Sequence, residues 1–192
     1  MLYQSKIEKS LISTLPPCDI TGEIIIIDRP EDVASAVEDL KQGPLIGFDT
    51  ETRPSFRRGE SNTISLLQLA TDKRAYLFRL KKIGQNQHLK ELLESEDHMK
   101  VGLSVHDDFH SLNRWMPCRP KNFIELQKYV KAFGIEEMSL QKIYAIVFNK
   151  KISKRQQLSN WEAETLTPAQ QQYAAIDAWA CRDIYYKLQH KI

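Results

Sequence analysis

The segment Leu45-Ile46-Gly47-Phe48-Asp49-Thr50-Glu51 constrains the fold most. It reads as a hydrophobic strand over Leu45–Thr50 that ends in acids. Side chains at i and i+2 share a strand face. Leu45, Gly47, Asp49 and Glu51 therefore line one face, and Ile46, Phe48 and Thr50 line the other. Two carboxylates pointing the same way repel each other, and burial makes the repulsion worse. A divalent cation between them would offset both costs. The bland alternative is a strand that ends in solvent with both acids wet.

The rest of the chain supplies what such a strand packs against. Ile24–Ile27 is a buried-strand signal. Val33, Ala36, Val37 and Leu40 share a helical face that Gly43-Pro44 ends. Thr63–Ala70 and Ala75–Phe78 read as a hairpin joined by Thr71–Arg74. Leu89, Leu92 and Leu93 mark a short helix, Lys100–Leu103 a strand, and His106–Trp115 a helix. After a mixed stretch from Phe123 to Phe133, Ser139 caps a helix through Phe148. Lys150–Trp161 is a loop. Thr167-Pro168-Ala169-Gln170 is a capping box that opens a long helix to about Leu188. This order predicts an α/β fold, one mixed sheet with helices on its faces. Met1–Gly22 has little periodicity and contains Pro16-Pro17. It reads as an N-terminal arm, residues 1–21, ordered only if it docks on the domain formed by residues 22–192.

Two more acids sit on faces that are otherwise apolar. Tyr173, Asp177, Ala180, Ile184 and Leu188 form one stripe of the last helix. A carboxylate in that stripe needs a partner charge, hydrogen bonds or a metal. Asp108 shares a stripe with Val105, Leu112 and Trp115, whereas Asp107 falls with Ser111 and Arg114. Helical phase therefore turns Asp108 inward and Asp107 to water. If the fold unites Asp49, Glu51, Asp108 and Asp177, the result is an acidic cleft. Its oxygen-only ligands suit Mg²⁺ or Mn²⁺ rather than zinc, the setting for two-metal phosphodiester hydrolysis. His106 and His110 form an i, i+4 pair, but no glutamate stands where a zinc protease needs it. They read as ordinary histidines.

Composition adds limits. The formal net charge is +2, too small to argue for nucleic acid. Cys18, Cys118 and Cys181 form no paired motif, so reduced thiols and a cytoplasmic location (nuclear in a eukaryote) are expected. No apolar run is long enough to span a membrane, and none near the start resembles a secretory signal.

Taken in order, the motifs resemble the DEDD superfamily of 3′–5′ exonucleases, in the subclass with a tyrosine in the last motif. The first motif is Gly47-Phe48-Asp49-Thr50-Glu51, followed by the strand Ile64-Ser65-Leu66-Leu67-Gln68-Leu69-Ala70. The second is Lys100-Val101-Gly102 leading to Asp108 and Leu112, and the third is Tyr173-Ala174-Ala175-Ile176-Asp177-Ala178. Ser159-Asn160-Trp161 and Leu166-Thr167 are also similar to family features. The likeness is greatest to the Werner-type and ribonuclease D-type members. It covers about Gly22 to Leu188.

The resemblance implies a ribonuclease H-like sheet and two-metal 3′–5′ exonucleolysis at DNA or RNA ends, with DNA slightly favoured. It implies that Asp49 bridges two divalent cations, Mg²⁺ or Mn²⁺. Glu51 and Asp177 would help hold one, Asp108 would hold the other, and Tyr173 would orient the attacking water. Arg53, Arg57 and Arg58, and across the fold Lys150, Lys151, Lys154 and Arg155, are candidate phosphate contacts. Phe56 and Phe109 are candidates for stacking on a terminal base, with core packing as the alternative. Trp161 is expected to pack beneath the loop rather than touch substrate. A non-catalytic or partner-dependent nucleic-acid-binding module is the competing reading. A helicase or other protein partner is unknown.

Overall fold

The computed structural model describes residues 2–55 and 63–190. In chain order, the elements begin with α1 (Lys9–Thr14), β1 (Glu23–Ile27), α2 (Val33–Leu40) and β2 (Leu45–Thr52). They continue with β3 (Ile64–Ala70), β4 (Arg74–Arg79), α3 (Leu80–Ile83), α4 (Gln87–Glu94) and β5 (Met99–Gly102). The remainder are α5 (Val105–Trp115), β6 (Phe123–Glu125), α6 (Leu126–Tyr129), α7 (Leu140–Phe148) and α8 (Pro168–Gln189). Short 3₁₀ turns precede α2 and follow α6.

The six strands form one mixed sheet in the order β1-β4-β3-β2-β5-β6. The β3–β4 hairpin and the β2–β3 pair are antiparallel, while β1–β4, β2–β5 and β5–β6 are parallel. Strand alternation sorts side chains to the two faces. Ile46, Phe48, Leu67, Leu69, Tyr76 and Phe78 pack beneath α2, α4 and α5. Leu66, Ala70, Ala75 and Leu77 pack against α8, through Ala174, Ala175, Ala178 and Trp179. The expected element order and the mixed sheet agree with this architecture.

Local chemistry fixes the element ends. The Thr167 hydroxyl accepts from the Gln170 amide N–H, and the Gln170 side chain accepts from the Thr167 N–H, closing the capping box of α8. Ser139 caps α7 by accepting from Lys142 N–H. Lys100, fully buried on β5, donates to the carbonyls of Leu92 and Ser95 at the end of α4 and lies over the Phe123 ring. It ties a helix end to the sheet, and burial lowers its pKa to about 8.

The N-terminal arm docks. Tyr3 N–H donates to Phe133 carbonyl, Glu136 N–H to Ser5 carbonyl, and Ile7 N–H to the Glu137 carboxylate. Ile7, Ile12 and Leu15 are buried against α7 and the end of α8. Pro17 then bridges to Lys151, with Cys18 N–H donating to Lys151 carbonyl and Lys151 N–H to Pro16 carbonyl. Among the described residues no helix is long and apolar enough to cross a membrane.

Candidate active site

Three elements converge at the C-terminal end of β2. Asp49 and Glu51 project from the strand face that α8 covers, and α8 lies close because no side chain separates the two backbones at Gly47. A Cβ there would sit 2.0 Å from the Ala178 carbonyl oxygen and 3.1 Å from the Arg182 Cβ. That close approach delivers Asp177 to the two strand acids. One carboxylate oxygen each from Asp49, Glu51 and Asp177 lie within 4.8 Å of one another. Asp177 is 8% exposed, and Asp49 and Glu51 are half-buried.

Asp108 enters from the opposite helix layer. It is half-buried on α5 beside buried Val105 and Leu112, while Asp107 and His106 are exposed. The Thr50 hydroxyl donates to Asp108 Oδ1 at 2.5 Å, so the acid is tied to the far face of β2. Asp108 thus stands next to the three-acid group rather than within it, yet its charge raises the pKa of both Asp49 and Glu51. The start of α5 is held by Glu125 on β6, whose carboxylate accepts from the N–H groups of Ser104 and Val105.

All four acids titrate high. Burial raises Asp49 well above the usual carboxylate range, and the charges of Asp177, Asp108 and Glu51 raise it further. Burial, then Asp177 and Asp108, push Glu51 up to about 9. Burial likewise lifts Asp108 and Asp177 to about 7. The hydrogen bond from Thr50 opposes the rise at Asp108, and the Tyr173 hydroxyl and then Lys154 oppose it at Asp177. Tyr173 lies one turn before Asp177 on α8. Its phenol is raised by burial and by the neighbouring acids Asp177 and Glu51, so it stays a neutral donor. Crowded, buried carboxylates held at this cost are a signature of a functional site. Their oxygen donors match a hard divalent cation.

Asp49, Glu51 and Asp177 open into a cavity of about 400 Å³. Leu103, Met138, Leu140 and Ile152 give it apolar walls, and Ser139, Gln141, Ser153, Lys154 and Gln157 polar ones. The sequence reading did not single out Leu103, Met138 or Gln141. Leu103 follows β5, Met138 precedes α7 and Gln141 lies in its first turn, and no local period marks such a wall.

Comparison with known proteins settles the family. Residues 24–192 match the family model described as 3′-5′ exonuclease. The chain belongs to this 3′–5′ exonuclease family. Relatives include the mouse bifunctional 3′-5′ exonuclease/ATP-dependent helicase WRN, 31% identical over 95% of this chain and 14% of that protein. The yeast exosome complex exonuclease RRP6 is 28% identical over 88% of this chain and 23% of that protein. The chain thus spans a minor part of each of these two proteins. The fold agrees with the Aedes aegypti Nibbler EXO domain, at TM-score 0.77, 23% identity and coverage of 91% of this chain and 93% of that one. It also agrees with Escherichia coli RNase D, at TM-score 0.78 and 22% identity, covering 90% of this chain and 45% of that one.

In this exonuclease-family chain the expected phosphate contacts separate into groups. Arg53 reaches Glu162 at 3.5 Å, and Lys150 pairs with Asp19 at 2.5 Å. Lys151 donates to the Ser13 carbonyl. Lys154 is exposed and lines the cavity, with its charge felt by Asp177. Arg155 is exposed on the same loop. Phe109 packs inward on Phe123 and Phe48, at ring separations of 4.7 and 6.3 Å, so its ring serves the core rather than a base. Phe56, Arg57 and Arg58 lie outside the described residues. Trp161 is buried beside Tyr173, with ring centroids 5.9 Å apart.

Proposed function

We propose that this chain is a two-metal-dependent 3′–5′ exonuclease that hydrolyses phosphodiester bonds at nucleic-acid 3′ ends. The observation that carries the reading is the convergence of Asp49, Glu51 and Asp177 oxygens within 4.8 Å, with Asp108 adjacent. Burial raises the pKa values of all four carboxylates, repulsion from the other acids adds to the rise at Asp49 and Glu51, and cations would stabilise such a site. In this reading Asp49, Glu51 and Asp177 would help hold one cation, and Asp49 and Asp108 would help hold the other. Bound Mg²⁺ or Mn²⁺ would supply Lewis-acid stabilisation of the phosphoryl oxygens and a lowered pKa for the attacking water.

The chain's own groups do the rest. Tyr173 offers its hydroxyl to orient the water, acting as a positioner rather than a base. Lys154 faces the cavity and attracts the phosphate backbone. Leu103, Met138, Leu140 and Ile152 offer apolar surface to the terminal nucleoside. We put DNA slightly ahead of RNA as substrate, as the motif resemblance implies. RNA is second, on the likeness to Escherichia coli RNase D, an exoribonuclease involved in structured RNA processing.

The test is a time course on 5′-labelled single-stranded and 3′-recessed DNA and RNA, with Mg²⁺, Mn²⁺ or EDTA. A metal-dependent ladder shortening from the 3′ end is the expected result. Binding without shortening on any substrate would instead favour a non-catalytic or partner-dependent module.

A further inference from the structure

Two buried side chains beside the acids leave their polar groups unpartnered. The Gln68 side chain is fully buried, and neither its amide nitrogen nor its amide oxygen finds a hydrogen-bond partner among the described residues. Trp161 is 1% exposed, and its indole N–H likewise makes no hydrogen bond of full geometry among them. Buried polar groups without partners are rare, and each calls for a reason.

Position supplies the reason for Gln68. It stands directly opposite Asp49 in the β2–β3 register. Opposed residues of an antiparallel pair put their side chains on one face, close enough to touch. Its partner on β4 is Leu77, and its neighbours along that face are Leu66 and Ala70. Ala174 and Ala178 of α8 cover the layer. Arg79, diagonal to it on β4, is engaged with the carbonyls of Ala163 and Glu164. The register sets the Asp49 carboxylate opposite the Gln68 amide and Glu51 on the diagonal.

Trp161 is held rigidly at the other side. Glu162 is pinned by Lys81 at 2.7 Å and by the Ser65 hydroxyl at 3.1 Å. Arg79 and Lys82 hold the next two carbonyls. The indole ring lies tilted by 30° against Tyr173. Its N–H is directed to the Glu51 carboxylate.

We propose that Gln68 and Trp161 are positioning residues that orient the Asp49 and Glu51 carboxylates for cation binding. The inference rests on the exonuclease reading of the site. In this arrangement the Gln68 amide N–H₂ donates to Asp49 and the Trp161 indole N–H donates to Glu51. Each carboxylate is then fixed in one rotamer with its remaining oxygen turned to the cleft. Groups that orient ligands in this way commonly affect metal affinity by 10–100-fold.

Trp161→Phe keeps a ring and removes the N–H. Gln68→Leu keeps most of the volume and removes the amide. Each is compared with wild type by calorimetric titration with MnCl₂, alongside circular dichroism and metal-free thermal unfolding. The expected result is a Mn²⁺ dissociation constant raised about tenfold in each variant, with unfolding unchanged or, for Gln68→Leu, shifted upward. On oligonucleotide substrate kcat falls while KM holds. If Gln68→Leu fails to fold, Gln68→Met replaces it, and Trp161→Phe stands as an independent arm. A folded variant that binds Mn²⁺ within about twofold of wild type overturns the assignment for that residue. A wild type that takes up no Mn²⁺ overturns the exonuclease reading itself, which separates the two failures.

Discussion

Gly47 and Ala178 meet backbone to backbone: a Cβ on Gly47 would fall 2.0 Å from the Ala178 carbonyl oxygen and 2.9 Å from its carbonyl carbon. Both atoms belong to a helix backbone, so neither can swing aside. The contact sets the height of α8 above β2, and with it the distance from Asp177 to Asp49 and Glu51. Gly47→Ala is therefore expected to lift the helix and spread the acids. Overpacking of this kind costs about 1–3 kcal/mol or more, and thermal unfolding should register it together with a large loss of nuclease activity. Gly43→Ala is the control, since its nearest neighbour lies 3.9 Å away. It should leave both unchanged.

Asp49→Asn should abolish turnover and leave the circular dichroism spectrum intact. Burial and the neighbouring acids already hold the Asp49 pKa well above the usual range, and Asn keeps the volume while removing the buried acid, so the metal-free protein should melt no lower than wild type. Full activity in this variant would contradict the assignment of Asp49 as a ligand.

Asp108→Asn and Asp107→Asn should separate cleanly. Asp108 is half-buried and accepts from Thr50, whereas Asp107 is exposed on the neighbouring face of α5. Turnover should fall by orders of magnitude in the first and stay near wild type in the second. Equal losses would mean that the phase of α5 does not govern which acid serves the site.

The acids also set a pH dependence whose sign is fixed. Glu51 titrates at about 9 and Asp108 and Asp177 at about 7 in the fold, against ordinary values of 4.5, 3.8 and 3.8. Across that window the folded chain holds more protons than the unfolded one. The contribution of these groups to stability is therefore complete below about pH 4 and is lost as pH rises through about 7 to 9. Melting in EDTA should show this loss, and added Mg²⁺ should raise the melting temperature more at alkaline than at acidic pH. A stabilisation by Mg²⁺ that is equal at both ends would exclude these acids as its binding site.

Lys154→Ala should raise KM for oligonucleotide several-fold and flatten its salt dependence, since an exposed cation at the cavity contributes a phosphate contact. Lys150→Ala should do little to KM, because Lys150 is turned toward Asp19 on the N-terminal arm. Thermal unfolding serves as the check that neither change acts through the fold.

Much of the framework was legible because local periods carry it. Alternation along Leu45–Glu51 separates Phe48 in one core from Asp49 at the cleft, and the i, i+3, i+4 spacing on α5 distinguishes Asp108 from Asp107. The Thr167–Gln170 capping box marks where α8 begins. What was not legible depends on contacts between distant segments. Nothing near Met138 or Leu103 in sequence says that they share a cavity wall with Tyr173. The docking of the arm through Pro17 and Lys151 joins positions far apart in the chain. The same holds for Gln68: a polar residue in a buried strand is visible, but only the β2–β3 register sets it opposite Asp49.

The most direct measurement is anomalous diffraction from crystals soaked in MnCl₂ with a single-stranded oligonucleotide. The account predicts two manganese peaks separated by about 3.5–4 Å, both in contact with Asp49, one shared with Glu51 and Asp177 and the other on the Asp108 side. Manganese absent from Asp49, at concentrations that support cleavage, would contradict it.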